Sequence, residues 1–223
     1  MATPYVSIVL EDIPSTQDAA VARADDAPVL VVAGRQSAGR GRGGRRWETA
    51  PRALAASLAV RPSGWDAAQF PRLSLVAGLS ARAVLGDGVA CKWPNDLLRG
   101  DAKVAGLLLE TVGDLVVIGL GVNLWWPDPP HGFGCMFDSD PGPGAFLELA
   151  SRWCDEVLLR VDRGPDVWGH DEYRLACRTI GRSIRWKPDG MGVAIDVDFD
   201  GRLVVETPSG RVLLSSGEVF EVR

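Results

Sequence analysis

Apolar and polar positions alternate in two registers along this chain. Short apolar runs bounded by turn residues mark strands at Tyr5–Leu10, Val29–Ala33 and Leu54–Val60, the second a continuous run of the kind a buried strand carries. Ser15-Thr16-Gln17-Asp18 has an N-cap pattern, with Ser15 as cap and Asp18 at N3, and predicts a helix running to about Ala24. Pro71 suits the first position of a second helix ending at Leu85, with Gly86 just past its end. Its small or apolar face is Leu73, Val76, Ala77, Ser80, Ala83 and Val84. A third helix over Ala145–Arg160 places Phe146, Leu149, Ala150, Trp153 and Val157 on one face.

Between the last two helices the pattern predicts an antiparallel meander. Cys91–Leu98 reads as one strand, bulged where Pro94 removes a ladder donor; Arg99-Gly100-Asp101 turns into Lys103–Thr111, and Gly113-Asp114 turns into Leu115–Asn123. Residues 127–144, rich in Pro and Gly, form a long loop. From Cys177 onward, short strands are separated by Asp189-Gly190, Asp200-Gly201, Ser209-Gly210 and Ser216-Gly217, the spacing of a small all-β barrel of about 45 residues. The expected architecture is α+β: residues 1–176 as the main domain and 177–223 as a small β module.

Composition narrows the function. The net charge is −5, which argues against a broad nucleic-acid-binding face. No apolar run reaches the ~20 residues of a membrane helix, and no signal peptide is visible. Four scattered cysteines and two histidines offer no zinc spacing, so no metal ligands are expected and reduced thiols in the cytoplasm are. Of 24 basic residues only Lys92, Lys103 and Lys187 are lysine. Lysine at 92 and 103 fits sites that want a compact ammonium rather than a guanidinium fork.

Three clusters carry candidate chemistry. Gly39-Arg40-Gly41-Arg42-Gly43-Gly44-Arg45-Arg46-Trp47 joins backbone freedom to forked donors, a cradle for a small anion. It contains G-x-G-x-x-G, but no helix pattern starts inside it, so a dinucleotide fold is not indicated; the bland alternative is a solvated hairpin tip. Lys92-Trp93-Pro94-Asn95-Asp96 is a bend that can aim Asn95 and Asp96 into a cleft, with Lys103 and Gly106 beside it on the next strand. Ile118-Gly119-Leu120-Gly121-Val122-Asn123 puts glycines inside an apolar strand, either for ligand approach or for close packing.

These clusters, with Ser15-Thr16-Gln17, Gln36 and Leu107-Leu108-Leu109-Glu110, resemble biotin protein ligases in residues and in order, over nearly the whole chain. The resemblance implies a mixed sheet with flanking helices, as in class II aminoacyl-tRNA synthetases and biotin ligases, plus a C-terminal SH3-like barrel. It implies ATP-dependent activation of biotin to biotinyl-5′-AMP, then transfer to a lysine of a biotin carboxyl carrier domain. ATP, biotin and Mg²⁺ are the implied small molecules, and a monomer or weak homodimer the implied state. The implied catalytic residues are Lys103, Arg40, Arg42 and Asp96. Biotin is expected at Ser15, Thr16, Gln17, Gln36, Gly39, Arg40, Gly41, Arg42, Trp47, Lys103, Gly106 and Leu107. ATP is expected at Arg42, Arg45, Trp47, Lys92, Asn95, Lys103 and Asn123. Trp125, Trp126 or Phe133 would stack on adenine, and Arg182 or Arg185 would reach the phosphates.

Two positions depart from the family pattern: Gln17 stands where Asn is usual, and Gly43 where Arg is usual, which implies a more flexible loop. With only about ten residues before the Ser-Thr helix, the family's winged-helix domain is not expected, nor is DNA binding. The nearest alternatives are a lipoate or octanoate ligase or transferase, in which Cys91 would invite attention as a nucleophile, and a non-catalytic ligand-binding relative.

Overall fold

The computed structural model describes residues 3–215, 217 and 219–221. A seven-stranded mixed sheet is built from β1 (Val6–Ile13), β2 (Val29–Gln36), β3 (Arg52–Val60), β4 (Val89–Lys92), β5 (Asp96–Arg99), β6 (Ala102–Val112) and β7 (Leu115–Trp125), in the order β1-β2-β3-β7-β6-β5-β4. Only β1 and β2 run parallel; the other neighbours are antiparallel. The near-continuous apolar run of β3 follows from its place mid-sheet, where both faces are covered.

Three helices flank the sheet. The short α1 (Thr16–Val21) is capped by Ser15, whose Oγ accepts from the Asp18 amide at 3.4 Å. Both α2 (Arg72–Leu85) and α3 (Ala145–Asp162) pack on the core, with Trp153 donating to the Ala77 carbonyl at 3.2 Å. Burial on α2 is broader than the expected stripe, taking in Leu75 and Leu79, while Ala83 is exposed. The sandwiched position of α2, between sheet and α3, explains that width.

Three features depart from the sequence reading or go beyond it. Cys91–Leu98 is two strands, not one bulged strand. The chain reverses at Trp93-Pro94-Asn95, across a cis Trp93–Pro94 peptide, so that Lys92 faces Asp96 on the neighbouring strand. A proline cannot continue the ladder, and here it makes the turn. Next, α4 (His170–Ala176) went unforeseen: it is only seven residues long, and its entry is Gly169 in the left-handed region (φ 97°) rather than a side-chain cap. Finally, the C-terminal strands β8 (Ser183–Trp186), β9 (Gly190–Val197), β10 (Leu203–Thr207), β11 (Gly210–Leu214) and β12 (Val219–Glu221) form an antiparallel sheet ordered β11-β10-β9-β8-β12. Among the described residues no pairing joins β11 to β12, so the expected barrel is not closed. Of the expected Ser216-Gly217 turn, Ser216 lies outside the described residues.

The second sheet is fastened to the β4–β5 turn. Buried Trp93 donates its indole N–H to the Gly201 carbonyl at 3.0 Å and its amide to Thr179 Oγ1 at 3.0 Å. Cys91 and Cys177 form a β-bridge beside them. The sequence that looked like a catalytic bend is thus also the hinge pin between the two sheets.

Candidate active site

Glycine and arginine spacing shapes the first wall. Residues 39–47 fold as a hairpin: the Trp47 amide donates to the Gly39 carbonyl at 2.9 Å, Arg40 pairs with Arg46, and the Gly41 amide donates to the Arg45 carbonyl at 2.7 Å. A 3-10 turn over Arg42–Gly44 forms the tip, with Gly43 at φ 66° and Gly44 at φ 73°. Those two positive angles are what the extra glycine at 43 supplies. The hairpin overhangs a cleft of ≈ 490 Å³ on the sheet face.

At one end the cleft is lined mainly by uncharged polar side chains. Thr16 donates from its amide and Oγ1 to Gln36 Oε1, at 2.7 and 3.0 Å, and Ser57 Oγ donates to Thr16 Oγ1 at 2.8 Å. Gln17, 4% exposed, donates from Nε2 to Glu110 Oε2 at 3.0 Å. Mid-cleft, Trp47 lies over Gly106 and Gly121; a β-carbon at either would stand 2.9 or 2.7 Å from its indole. So the strand glycines make room for a side chain of this protein, and at Gly119 for Gln17, whose Oε1 would be 2.9 Å from an added β-carbon.

Charge gathers at the other end. Lys103 Nζ is 2.6 Å from Asp96 Oδ1 and 5.4 Å from the centre of the Trp47 ring, so the β4–β5 turn and β6 do converge as the spacing predicts. Arg42 donates to Asn95 Oδ1 at 3.1 Å, while Asn95 Nδ2 donates to the Leu107 carbonyl at 2.8 Å. Arg45 and Lys92 line the same end. Among the described residues no group of three or more His, Cys, Asp or Glu is placed to hold a metal ion.

Several expected residues are placed differently. Arg40 lines the cleft, but its guanidinium is bidentate to Asp18 at 2.7 and 2.8 Å and also meets Glu110 Oε2 at 3.1 Å. That hydrogen bond holds the Asp18 carboxyl below its ordinary value, against a smaller opposing effect of burial. Through these carboxylates Arg40 ties the hairpin to α1 and β6 while its side chain lines the cleft. Gly39 does not line the cleft; it packs between Gln36 and Trp47. Asn123, 1% exposed, also lies behind the wall, donating to the Gly134 carbonyl at 3.0 Å and holding the loop after β7. That loop is strapped to β6 as well, through Lys103 amide to Gly132 carbonyl (2.8 Å) and Gly134 amide to Lys103 carbonyl (2.9 Å). The straps set Phe133 in the cleft wall; Trp126 packs on Phe133 at 6.0 Å, and neither Trp125 nor Trp126 lines the cleft. Arg182 and Arg185 do not line it either.

Sequence reasoning did not foresee the second sheet's share. Gly217, Val219 and Phe220 form part of the wall, and Arg42 reaches the Gly217 carbonyl at 3.5 Å. No local motif marks them; pairing of β12 with β8 and the second sheet's contacts with Trp93, Arg72, Trp168 and Arg174 bring them to the cleft. Cys91 is 2% exposed, and burial, then its neighbour Cys177, pushes its thiol up to about 12.

Uncharged polar side chains, Trp47 and the cationic Lys103, Arg42, Arg45 and Lys92 thus line one cleft. Residues 9–123 match the model of the Biotin/lipoate A/B protein ligase family, and residues 191–220 match the biotin protein ligase C-terminal domain. The chain is 31% identical to the biotin–[acetyl-CoA-carboxylase] ligase of Mycobacterium tuberculosis, over 92% of this chain and 83% of that one. It is 33% identical to the enzyme of the same name from Paracoccus denitrificans, over 85% and 89%. The fold superposes on biotin protein ligase from Aquifex aeolicus, in complex with biotin and ATP, with a TM-score of 0.84 at 23% identity, over 98% and 99% of the two chains. The chain belongs to the Biotin/lipoate A/B protein ligase family.

Proposed function

We propose that this protein is a biotin–protein ligase. In the first step a biotin carboxylate oxygen attacks the α-phosphorus of ATP. The bond from that phosphorus to the bridging oxygen breaks, leaving biotinyl-5′-AMP and pyrophosphate. In the second, a lysine amine of the acceptor attacks the acyl carbon, AMP leaves with the electron pair of the C–O bond, the amide forms and the amine loses its proton.

The observation that carries this reading is the convergence of Lys103, Trp47 and the Arg/Gly hairpin on one cleft. The nucleophile is already ionised, so the obstacle is charge repulsion rather than proton removal. Lys103, Arg42, Arg45 and Lys92 supply fixed positive charge where two anions must meet, which is positioning plus electrostatic stabilisation. Ser15, Thr16, Gln17 and Gln36 hold the ureido head, while Trp47, Gly106 and Leu107 bed the apolar part. Arg40 acts by holding the hairpin down. Phe133 stacks on adenine, with Asn123 fixing its loop. Asp96, beside Lys103, receives the acceptor lysine in the second step.

Asp96 and Glu48 line the cleft and would hold Mg²⁺ together with phosphate oxygens, as such ions are commonly held by one or two carboxylates. When bound it supplies further neutralisation of the phosphates. The acceptor is the biotin carboxyl carrier domain of a carboxylase, as the names of the relatives support. The C-terminal sheet is an SH3-like module that completes the cleft, and four free cysteines support the cytoplasm as its place.

Pyrophosphate release with ATP plus biotin, set against lipoate and octanoate, tests the reading. Biotin alone should support turnover, and Lys103→Ala should abolish it at unchanged melting temperature. Full activity of that variant, or turnover with lipoate instead, sinks the assignment.

A further inference from the structure

Glu110 does not line the cleft, yet it lies behind the head-group end of it. It stands on β6 opposite Val117 of β7. Its Oε2 accepts from Gln17 Nε2 at 3.0 Å and from Arg40 at 3.1 Å, and the Val117 carbonyl accepts from the same Gln17 nitrogen at 3.4 Å. A carboxylate and a carbonyl can only accept, so together they fix which way the Gln17 amide faces. The nitrogen must turn to Glu110 and the oxygen away from it.

That oxygen is the telling atom. Gln17 lines the cleft, and its Oε1 is enclosed yet accepts no hydrogen bond from any described residue. A buried acceptor without a donor is costly, and a ligand N–H is what relieves it. The relay continues outward: Arg40, held by Glu110 and Asp18, belongs to the hairpin that overhangs the cleft.

We propose that Glu110 is a positioning residue, holding the Gln17 amide so that its oxygen accepts an N–H of the substrate's cyclic urea. Glu110 touches no substrate; it acts through Gln17, and through Arg40 it links that acceptor to the Arg/Gly hairpin. The inference rests on the biotin reading of this cleft.

Calorimetric titration of biotin into the full chain, without ATP, reads the effect directly. Glu110→Ala should weaken biotin about tenfold, the scale of one enclosed hydrogen bond lost. The loss should fall mainly on biotin affinity, and turnover at saturating biotin should drop by a smaller factor, because Arg40 keeps both of its bonds to Asp18. Glu110→Gln keeps an acceptor oxygen and should bind within about twofold of wild type. Glu110→Leu keeps the bulk without the acceptor and should match Glu110→Ala, so the test survives if the alanine variant unfolds. In the Gln17→Ala background, Glu110→Ala should cost nothing further. Wild-type affinity in both Glu110→Ala and Glu110→Leu, or losses at 17 and 110 that simply add, overturns the proposal. Failure of the wild-type chain to bind biotin would instead overturn the biotin reading.

Discussion

Gly106 and Gly121 face each other across β6 and β7, and the Trp47 indole lies over both. The pairing turns two unremarkable strand glycines into the bed of a cleft. A methyl group at 121 would stand 2.7 Å from Trp47 Cζ2, closer than side-chain carbons pack, and the neighbouring atoms are a rigid ring. Gly121→Ala should therefore lift the indole away from Lys103 and cost adenylate formation about tenfold or more, the weight that displaced groups carry in an aligned site. Folding should lose about 1–3 kcal/mol, the usual cost of overpacking against a rigid group. Pyrophosphate release beside a thermal melt checks both halves; unchanged turnover would show that Trp47 has slack.

Lys103 is hemmed in by Asp96 at 2.6 Å from Nζ and by the Gly106 backbone, whose absent β-carbon would be 3.3 Å from the same nitrogen. A planar guanidinium and a compact ammonium are not interchangeable in such contacts. Lys103→Arg, charge-preserving on paper, should lose roughly 100-fold in adenylate formation, as for a reacting group displaced by about 1 Å. Single-turnover formation of biotinyl-5′-AMP is the measurement, and near-wild-type rates would mean that charge alone suffices at this position.

Much of this site was legible locally and some of it could not be. The Ser15 cap, the α3 face and the Lys103–Asp96 encounter depend on neighbours in sequence or on hairpin spacing. The partners of Arg40 do not: only the fold reveals that its guanidinium meets Asp18 and Glu110, because those carboxylates come from α1 and β6. Gly217, Val219 and Phe220 were invisible for the same reason, since β12 reaches the cleft by pairing with β8 and through contacts between distant parts of the chain such as Trp93 with Gly201. The β4–β5 turn was misread because a proline in an apolar run signals a break without saying whether the chain bulges or reverses. Closure of the second sheet, which pairing among the described residues does not show, was not legible either, because turn spacing counts strands and says nothing of closure.

Cys91 precedes the lysine of the β4–β5 turn, which invites a thioester mechanism. Its thiol is buried and pushed up to about 12, first by desolvation and then by Cys177. At neutral pH almost none of it is thiolate, the reactive form. Cys91→Ser should keep turnover within about twofold, since the acyl-adenylate route needs no enzyme nucleophile. Iodoacetamide at pH 8 should leave Cys91 unmodified in the folded chain, read by peptide mass mapping. Loss of activity in parallel with Cys91 alkylation would revive the acyl-transferase alternative.

Asp140 ties the long loop back to β3. Arg52 grips its carboxylate at 2.8 and 2.7 Å, and the Gly142 amide adds a third hydrogen bond at 2.9 Å. These bonds, the Arg52 contact foremost, lower its pKa from 3.8 to about 2. A carboxyl whose folded value is depressed stabilises the fold fully above its unfolded value and loses that contribution as pH falls through the folded one. The window here runs from 3.8 down to about 2. The gap in melting temperature between wild type and Asp140→Asn should then be flat above about pH 5, narrow below pH 4 and nearly close by pH 2. Both partners are partly solvent-exposed, so the gap should also shrink in high salt. A gap that stays constant down to pH 2 would place the stabilising contact somewhere other than the ionised Asp140.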